Sequence, residues 1–267
     1  MSPTLPARWL DLLEAIGARV LTACDWALTW LGLAARALAT LPQCRQGPVG
    51  AEFMRMLRLA LPGCLRATVM VGVAVGLSLI GQAIFWIEFT GQSNLLVTLL
   101  VDVLTRELAP ILATLVLLLR VGTQNLVELG AIRAGPAWRA LVSQGLDPWQ
   151  LLAAPRALAA AVAGATLSVL VVLLAGFGGA LWATVAGLGI MRPGVLIEAF
   201  LRGMTMADYV LLPLKGGLMA FLAMLATALV AMASRKLAAN TARLLPRGVA
   251  AGAGAALAGA VLLGVLT

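Results

Sequence analysis

Six charged side chains lie within or beside stretches of the chain that are otherwise apolar, and these residues are the best placed to do chemistry. They are Arg106, Glu107, Arg120, Glu128, Asp208 and Lys215. A charge at the centre of a bilayer costs about 2.5–3.5 kcal/mol on insertion scales, so such side chains pair, line a polar cavity or contact a partner. They do not suggest catalysis, because no nucleophile, base and orienting group converge in the sequence.

The spacing of the first four charges leaves two interpretations open. Adjacent Arg106 and Glu107 point about 100° apart on a helix, so each needs its own partner on another helix or another subunit. Arg120 and Glu128 are about two turns apart on the same helical face, whereas Glu128 and Arg133 have a poorer spacing for a direct pair. The charges are therefore either structural pairs and interface anchors, or groups that line a polar cavity and transmit motion to a partner.

Other polar or small residues in the apolar stretches also predict contacts. Lys215 either extends its ammonium group to the outer surface or pairs with Asp208, which lies on roughly the same helical face. Gln82 needs a hydrogen-bond partner because its stretch is otherwise apolar. The Gly72-xxx-Gly76 spacing lets two helices approach closely, so we interpret it as a packing site, with a dimer face as the alternative.

The composition predicts an all-α integral membrane protein. Apolar residues make up 62% of the 267 residues and charged residues 11%, against roughly 45–50% and 25% in soluble domains. The chain contains no His, its three Cys form no CxxC pair, and no GxxxxGK[ST] motif occurs. These absences exclude His-based catalytic triads, His metal sites and a P-loop of the chain's own. The net charge of +8 is dispersed between apolar stretches, which argues against nucleic-acid binding.

Five stretches are apolar and long enough to cross a bilayer core about 30 Å thick. We predict spans over about 67–87, 107–132, 157–183, 209–234 and 248–267, and a short helix over about 136–145 between the second and third spans. Fifteen Arg or Lys residues lie in the segments on the N-terminal side of the membrane, and two lie in the opposite loops. This bias places the N-terminus in the cytoplasm and the C-terminus outside.

The first 48 residues form a separate N-terminal segment with amphipathic character. One face of a helix would carry Trp9, Leu13, Ile16 and Val20. This spacing favours a helix in the membrane interface over a signal peptide. It leaves open whether residues 8–41 cross the membrane. A second amphipathic segment, residues 51–61, leads into the first span at Pro62-Gly63.

Several short motifs follow one another in the middle of the chain. They are Arg106-Glu107-Leu108-Ala109-Pro110, Arg120-Val121-Gly122, Glu128-Leu129-Gly130-Ala131-Ile132-Arg133, Leu146-Asp147-Pro148 and Ala154-Pro155-Arg156. Together with Gly76, Gln82, Asp208 and Lys215, this order of motifs resembles the MlaE-like permeases, the membrane subunits of ABC transporters that work with MCE-domain proteins. The resemblance covers about residues 50–230 and makes 49–267 a permease domain.

The resemblance implies a non-catalytic subunit of the inner membrane. Two copies would pair around a cavity that accepts phospholipid, a separate ABC ATPase subunit would bind ATP and Mg²⁺, and periplasmic MCE-domain proteins would carry the lipid. This chain would bind no cofactor itself. The implied cavity or gating residues are Gln82, Arg106, Glu107, Pro110, Arg120, Glu128, Asp208 and Lys215. The implied residues for coupling to the ATPase are Arg133, Trp138, Arg139, Leu141 and Gln144.

The chain departs from the family pattern beside the motifs. Pro136 stands at a position that is usually acidic, Leu119 replaces a Gly, and 238–246 replaces a Gly- and Thr-rich stretch. Pro is tolerated in the first turn of a helix, so the coupling helix can still form, although its contact with an ATPase must differ. The alternatives are a membrane scaffold that transports nothing, a permease with altered coupling and, less favoured, a secondary transporter, for which no inverted repeat is visible.

Overall fold

The computed structural model describes residues 32–37, 39–40, 47–90, 102–185, 204–233 and 235–266, and this part of the chain is helical, without strands. The all-α fold class is thereby confirmed. Most of the predicted interfacial helix at 8–41 lies outside the described residues.

The helices follow one another in a simple order along the chain. Their bounds are α1 Gly47–Thr90, a π-helical segment Leu104–Leu108, α2 Ala109–Leu117, a π-helical segment Leu118–Gly122, α3 Thr123–Ala134, α4 Pro136–Ser143, a π-helical segment Trp149–Ala153, α5 Ala154–Val185, α6 Met206–Ala233, α7 Arg235–Ala238 and α8 Thr241–Leu266. The second amphipathic segment and the first predicted span both belong to α1, which continues through Pro62 and Gly63 without a break.

Two of the π-helical segments lie directly before a proline. Leu104–Leu108 ends two residues before Pro110, and Trp149–Ala153 ends two residues before Pro155. Proline has no N–H to donate to the carbonyl four residues earlier, and its ring crowds that carbonyl, so the preceding turn widens. The chain therefore enters α2 and α5 through a wider turn.

Four helices in the described part of the chain have the length and apolar composition needed to cross a membrane. They are Gly47–Leu79, Trp149–Trp182, Met206–Ala233 and Thr241–Gly264. The second predicted span, 107–132, is also helical, but its two π-helical segments divide it into shorter pieces and it is not one of the four. The count of five spans stays a prediction.

Close contacts through glycine hold the long helices together. A Cβ atom built on Gly76 would collide with the backbone of Ala175 on α5, and one on Gly178 of α5 would lie 2.6 Å from the carbonyl oxygen of Val73. The Gly72-xxx-Gly76 motif is therefore a packing site within the chain, as predicted, and it faces α5. This face of α1 is consequently covered by the same chain.

The core lies where α5 and α6 cross, and small residues again set the distance. A Cβ atom on Gly216 would lie 2.9 Å from the carbonyl oxygen of Gly164. Leu126 of α3 fills the space above Gly248 of α8, and Leu118 fills the space above Gly252. The helical stretch from Leu104 to Ala134 therefore packs between α6 and α8. This packing brings the polar side chains of different helices together.

Candidate functional site

Five side chains from α1, α3 and α5 form what we call the Arg156 cluster. Its members are Glu52, Arg55, Asn125, Glu128 and Arg156. Arg156 Nε lies 2.6 Å from Glu52 Oε1, and Arg156 Nη1 lies 3.1 Å from Glu128 Oε2. Arg55 Nη2 lies 2.8 Å from both acids, at Glu52 Oε1 and Glu128 Oε2. Two acids and two bases balance, which lets the cluster sit among apolar helices.

Asn125 extends this cluster to α6. Its Oδ1 accepts a hydrogen bond from Arg156 Nη1 at 2.9 Å, and its Nδ2 donates to Thr227 Oγ1 at 3.2 Å. Only 3% of the Arg156 side chain is exposed, whereas 44% of Arg55 and 41% of Glu128 are exposed. The cluster thus has a buried half around Arg156 and an exposed half at the Arg55–Glu128 pair.

A second group, the Arg106 cluster, lies at the opposite end of the helices. It comprises Asp102, Arg106, Thr205, Asp208 and Lys215. Arg106 Nε lies 3.1 Å from Asp208 Oδ1 and 3.8 Å from Asp102 Oδ1. The other carboxylate oxygen of Asp208 accepts hydrogen bonds from the backbone N–H and the hydroxyl of Thr205, at 2.9 and 2.7 Å. Asp208 therefore closes the first turn of α6 and holds Arg106 on the other side.

A cavity of about 130 Å³ opens beside these charges. Arg106, Asp208 and Lys215 contribute its polar wall, and the rest is lined by Thr105, Ala207, Leu211 and Leu212. Lys215 is only 5% exposed, so its ammonium group does not extend to the outer surface. The arrangement presents two cations and one carboxylate to a small space with apolar walls, which suits a polar group attached to an apolar molecule.

The structure changes the pairings that spacing alone had left open. Glu128 does not pair with Arg120; it binds Arg55 and Arg156 on two other helices. Arg120 is exposed and lies in the π-helical segment Leu118–Gly122, where the wider turn changes the register with the residues that follow. Arg106 does find its acid on another helix, as its position beside Glu107 required.

The residues predicted to couple to an ATPase lie around α4. Arg133 donates from Nε to the carbonyl oxygen of Met232 at 3.1 Å, and its guanidinium group lies 4.3 Å above the ring of Trp138. No residue of α4 is buried, and Arg139 and Gln144 are exposed while Leu141 is partly exposed. The helix ends in a turn with Gly145 at φ +73°, the left-handed conformation that glycine adopts without strain.

The remaining predicted site residues stand apart from the two clusters. Gln82 is exposed on α1, Glu107 is exposed and faces α8 near Gly264, and Pro110 is buried at the start of α2. The sequence interpretation missed the contacts of Glu52, Arg55 and Asn125. The signal for Asn125 was available, because it is an amide in a stretch of apolar character, as Gln82 is.

The family model described as permease MlaE matches residues 53–266, which includes every member of both clusters except Glu52. The chain belongs to the MlaE permease family. The resemblance seen in the motifs of residues 106–156 is thereby confirmed. Among curated proteins, none matches this MlaE-family permease significantly.

Membership of the MlaE permease family gives the two clusters their context. The protein is an ABC-transporter permease, a multi-pass subunit of the inner membrane that works with other transporter subunits. Both clusters therefore belong to a membrane permease.

Proposed function

We propose that this MlaE-family permease moves phospholipid, or a related lipid, between the inner membrane and periplasmic MCE-domain partners. It acts as one half of a homodimer, and a separate ABC ATPase subunit that binds ATP and Mg²⁺ drives it. The N-terminus lies in the cytoplasm and the C-terminus in the periplasm, in keeping with the distribution of Arg and Lys along the chain.

The spacing of the two clusters is the observation that carries this proposal. Arg106 and Glu128 are twenty-two residues apart on one helical stretch, which corresponds to about 33 Å of helix and is close to the thickness of a bilayer core. One cluster therefore lies near each face of the membrane. The helical stretch that joins them ends, through Gly135, at α4.

The exposed polar groups at the Arg106 end support a shared passage between two copies. Arg106 is 45% exposed, and Glu107 and Gln82 are also exposed on the surface of the single chain. In a monomer these groups would lie at the edge of the acyl-chain region, where a polar side chain costs less free energy than at the bilayer centre but is still unfavourable. A second copy that covers the surface around Arg106 and its cavity encloses a polar-walled space where a lipid headgroup can be held while its acyl chains contact apolar helices.

The exposed surface of α4 supports coupling to a separate ATPase. Val142 and Leu146 expose about half of their surfaces, and no side chain of α4 is buried in this chain. The Arg133–Trp138 contact fixes α4 to the end of α3. A movement of α4 is thus transmitted to the helical stretch of residues 104–134, which carries members of both clusters.

The proposal is tested by reconstitution of the complex. We expect the chain to co-purify with a P-loop ATPase and a second copy of itself, and to show ATP turnover that phospholipid stimulates and Trp138→Ala weakens. In cells, Glu128→Lys should impair the outer-membrane barrier more than Glu14→Lys does. A monomeric chain without an attached ATPase would refute the proposal, and lipid-independent turnover would favour a scaffold that transports nothing.

A further inference from the structure

The Arg156 cluster is divided into a buried part and an exposed part, and both parts hold the same helix. Asn125 and Glu128 are three residues apart on α3, so they lie on neighbouring positions of one face. Asn125 is buried and binds both Arg156 of α5 and Thr227 of α6. Glu128 is 41% exposed, and its Oε2 lies 2.8 Å from Arg55 Nη2 of α1 and 3.1 Å from Arg156 Nη1 of α5.

The two attachments differ in strength because they differ in burial. Breaking the hydrogen bond between buried Arg156 and buried Asn125 leaves a donor and an acceptor unsatisfied away from water, so this contact resists rearrangement. An ion pair that is nearly half exposed is exchanged for water at little cost. The Arg55–Glu128 contact is therefore the one that can open while the contacts of buried Arg156 with Asn125 and Glu128 stay closed.

The N-terminal end of α3 follows a widened turn, and its C-terminal end leads into α4. The π-helical segment Leu118–Gly122 ends immediately before α3, and such widened turns are frequent at functional sites. At the other end Gly135 is extended and leads into α4, and Arg133 contacts both Trp138 of α4 and the carbonyl oxygen of Met232 on α6. About half of α3 lies beyond Glu128 on the side of α4.

We propose that the Arg55–Glu128 pair is a releasable latch on α3, and that Arg156 and Asn125 form the fixed pivot about which α3 turns. Arg55 and Glu52 are thus positioning residues for the coupling movement, acting through Glu128. The inference rests on the proposed function, because the force that opens the latch enters through α4 from an ATPase.

The test measures the distance between α1 and α3 in the complete complex in lipid nanodiscs. Spin labels are attached to Met54→Cys and Ala131→Cys, both exposed, in a chain whose own three Cys are replaced. We expect ATP to shift the distance distribution of the parent protein towards a longer separation. Without ATP, Arg55→Gln should raise the ratio of long to short distances about fivefold, which corresponds to about 1 kcal/mol.

Matched variants separate a latch from a static contact. Arg58→Gln removes an exposed charge one turn further along α1 and should leave the distribution unchanged. Glu128→Gln opens the latch from the other side and keeps the test available if Arg55→Gln does not fold. The double variant Arg55→Gln/Glu128→Gln should open no further than Glu128→Gln alone, because Glu128→Gln already removes the Arg55–Glu128 contact.

Two results would overturn the latch. One is an equal distance distribution in Arg55→Gln and Arg58→Gln; the other is a complex that transports lipid while ATP leaves the α1–α3 distance unchanged. Failure of the proposed function has a different signature, since the parent complex would then move no lipid under any condition.

Discussion

Replacing Arg156 by Met tests how the buried half of the Arg156 cluster holds α1, α3 and α5 together. Arg156 is 3% exposed and contacts Glu52, Asn125 and Glu128 at 2.6, 2.9 and 3.1 Å. Met fills a similar volume but leaves the acids facing each other with one cation fewer. Loss of one partner from a buried ion pair costs about 3–5 kcal/mol. The matched variant Arg55→Met removes a cation that is 44% exposed, and we expect a loss of about 0–1 kcal/mol.

The assay is thermal unfolding of the purified protein in one detergent, with both variants measured side by side. At about 2–3 °C per kcal/mol for a chain of this size, Arg156→Met should lower Tm by roughly 6–15 °C and Arg55→Met by at most about 3 °C. Adding Glu52→Gln to Arg156→Met should recover part of the loss, because it removes an acid left without its cation. Equal shifts for the two single variants would refute the argument that burial decides the strength of these contacts.

Two further predictions concern the helix contacts and the Arg106 cluster. Gly76→Val should prevent folding or strongly reduce the folded yield, because a Cβ atom there meets the backbone of α5. Gly63 has open space around it, so Gly63→Ala should fold normally and be as stable as the parent or slightly more stable. Similar folded yields of the two variants by size-exclusion chromatography would contradict the close approach of α1 and α5. Asp208→Asn should lower the free energy of unfolding by about 1.5–3 kcal/mol, because the buried carboxylate accepts hydrogen bonds from Arg106 and Thr205. Asp102→Asn should lower it by less than about 1 kcal/mol, because Asp102 lies at the surface and its contact with Arg106 is 3.8 Å long. The same thermal assay checks the pair, and a larger loss for Asp102→Asn would contradict the argument that burial and short contacts make Asp208 the stronger partner of Arg106.

The long helices were predictable from the sequence because their signal is local. The uncharged stretch after Ala67 and the long apolar run after Ala157 leave little alternative to helices in a bilayer, since only a helix pairs its own backbone groups there. The short helix at α4 was also readable, from Pro136 at its start and Gly145 after its end. Family membership followed from motifs spread over residues 106–156, which needed no structure.

The partners of the charges were not predictable in the same way. Spacing suggested Glu128 beside Arg120, since eight residues make about two turns of a regular helix. A π-helical segment at Leu118–Gly122 changes that register, and it could not be predicted because no proline follows it closely in the sequence. Glu52 and Arg55 looked like the polar face of an interfacial helix until the fold brought Arg156 to them from 104 residues away.

The sequence alone determined that this chain is a bundle of membrane helices with charges at unusual depths, because hydrophobicity, backbone pairing and proline act over a few neighbouring residues. Only the tertiary structure decided that most of those charges form two balanced clusters, one buried around Arg156 and one beside a cavity at Arg106, while Glu107 and Arg120 lie outside both. The physical reason is range: an ion pair forms wherever helix packing brings opposite charges within about 4 Å, and that packing depends on glycine contacts such as Gly76 with Ala175, made by residues far apart in the chain.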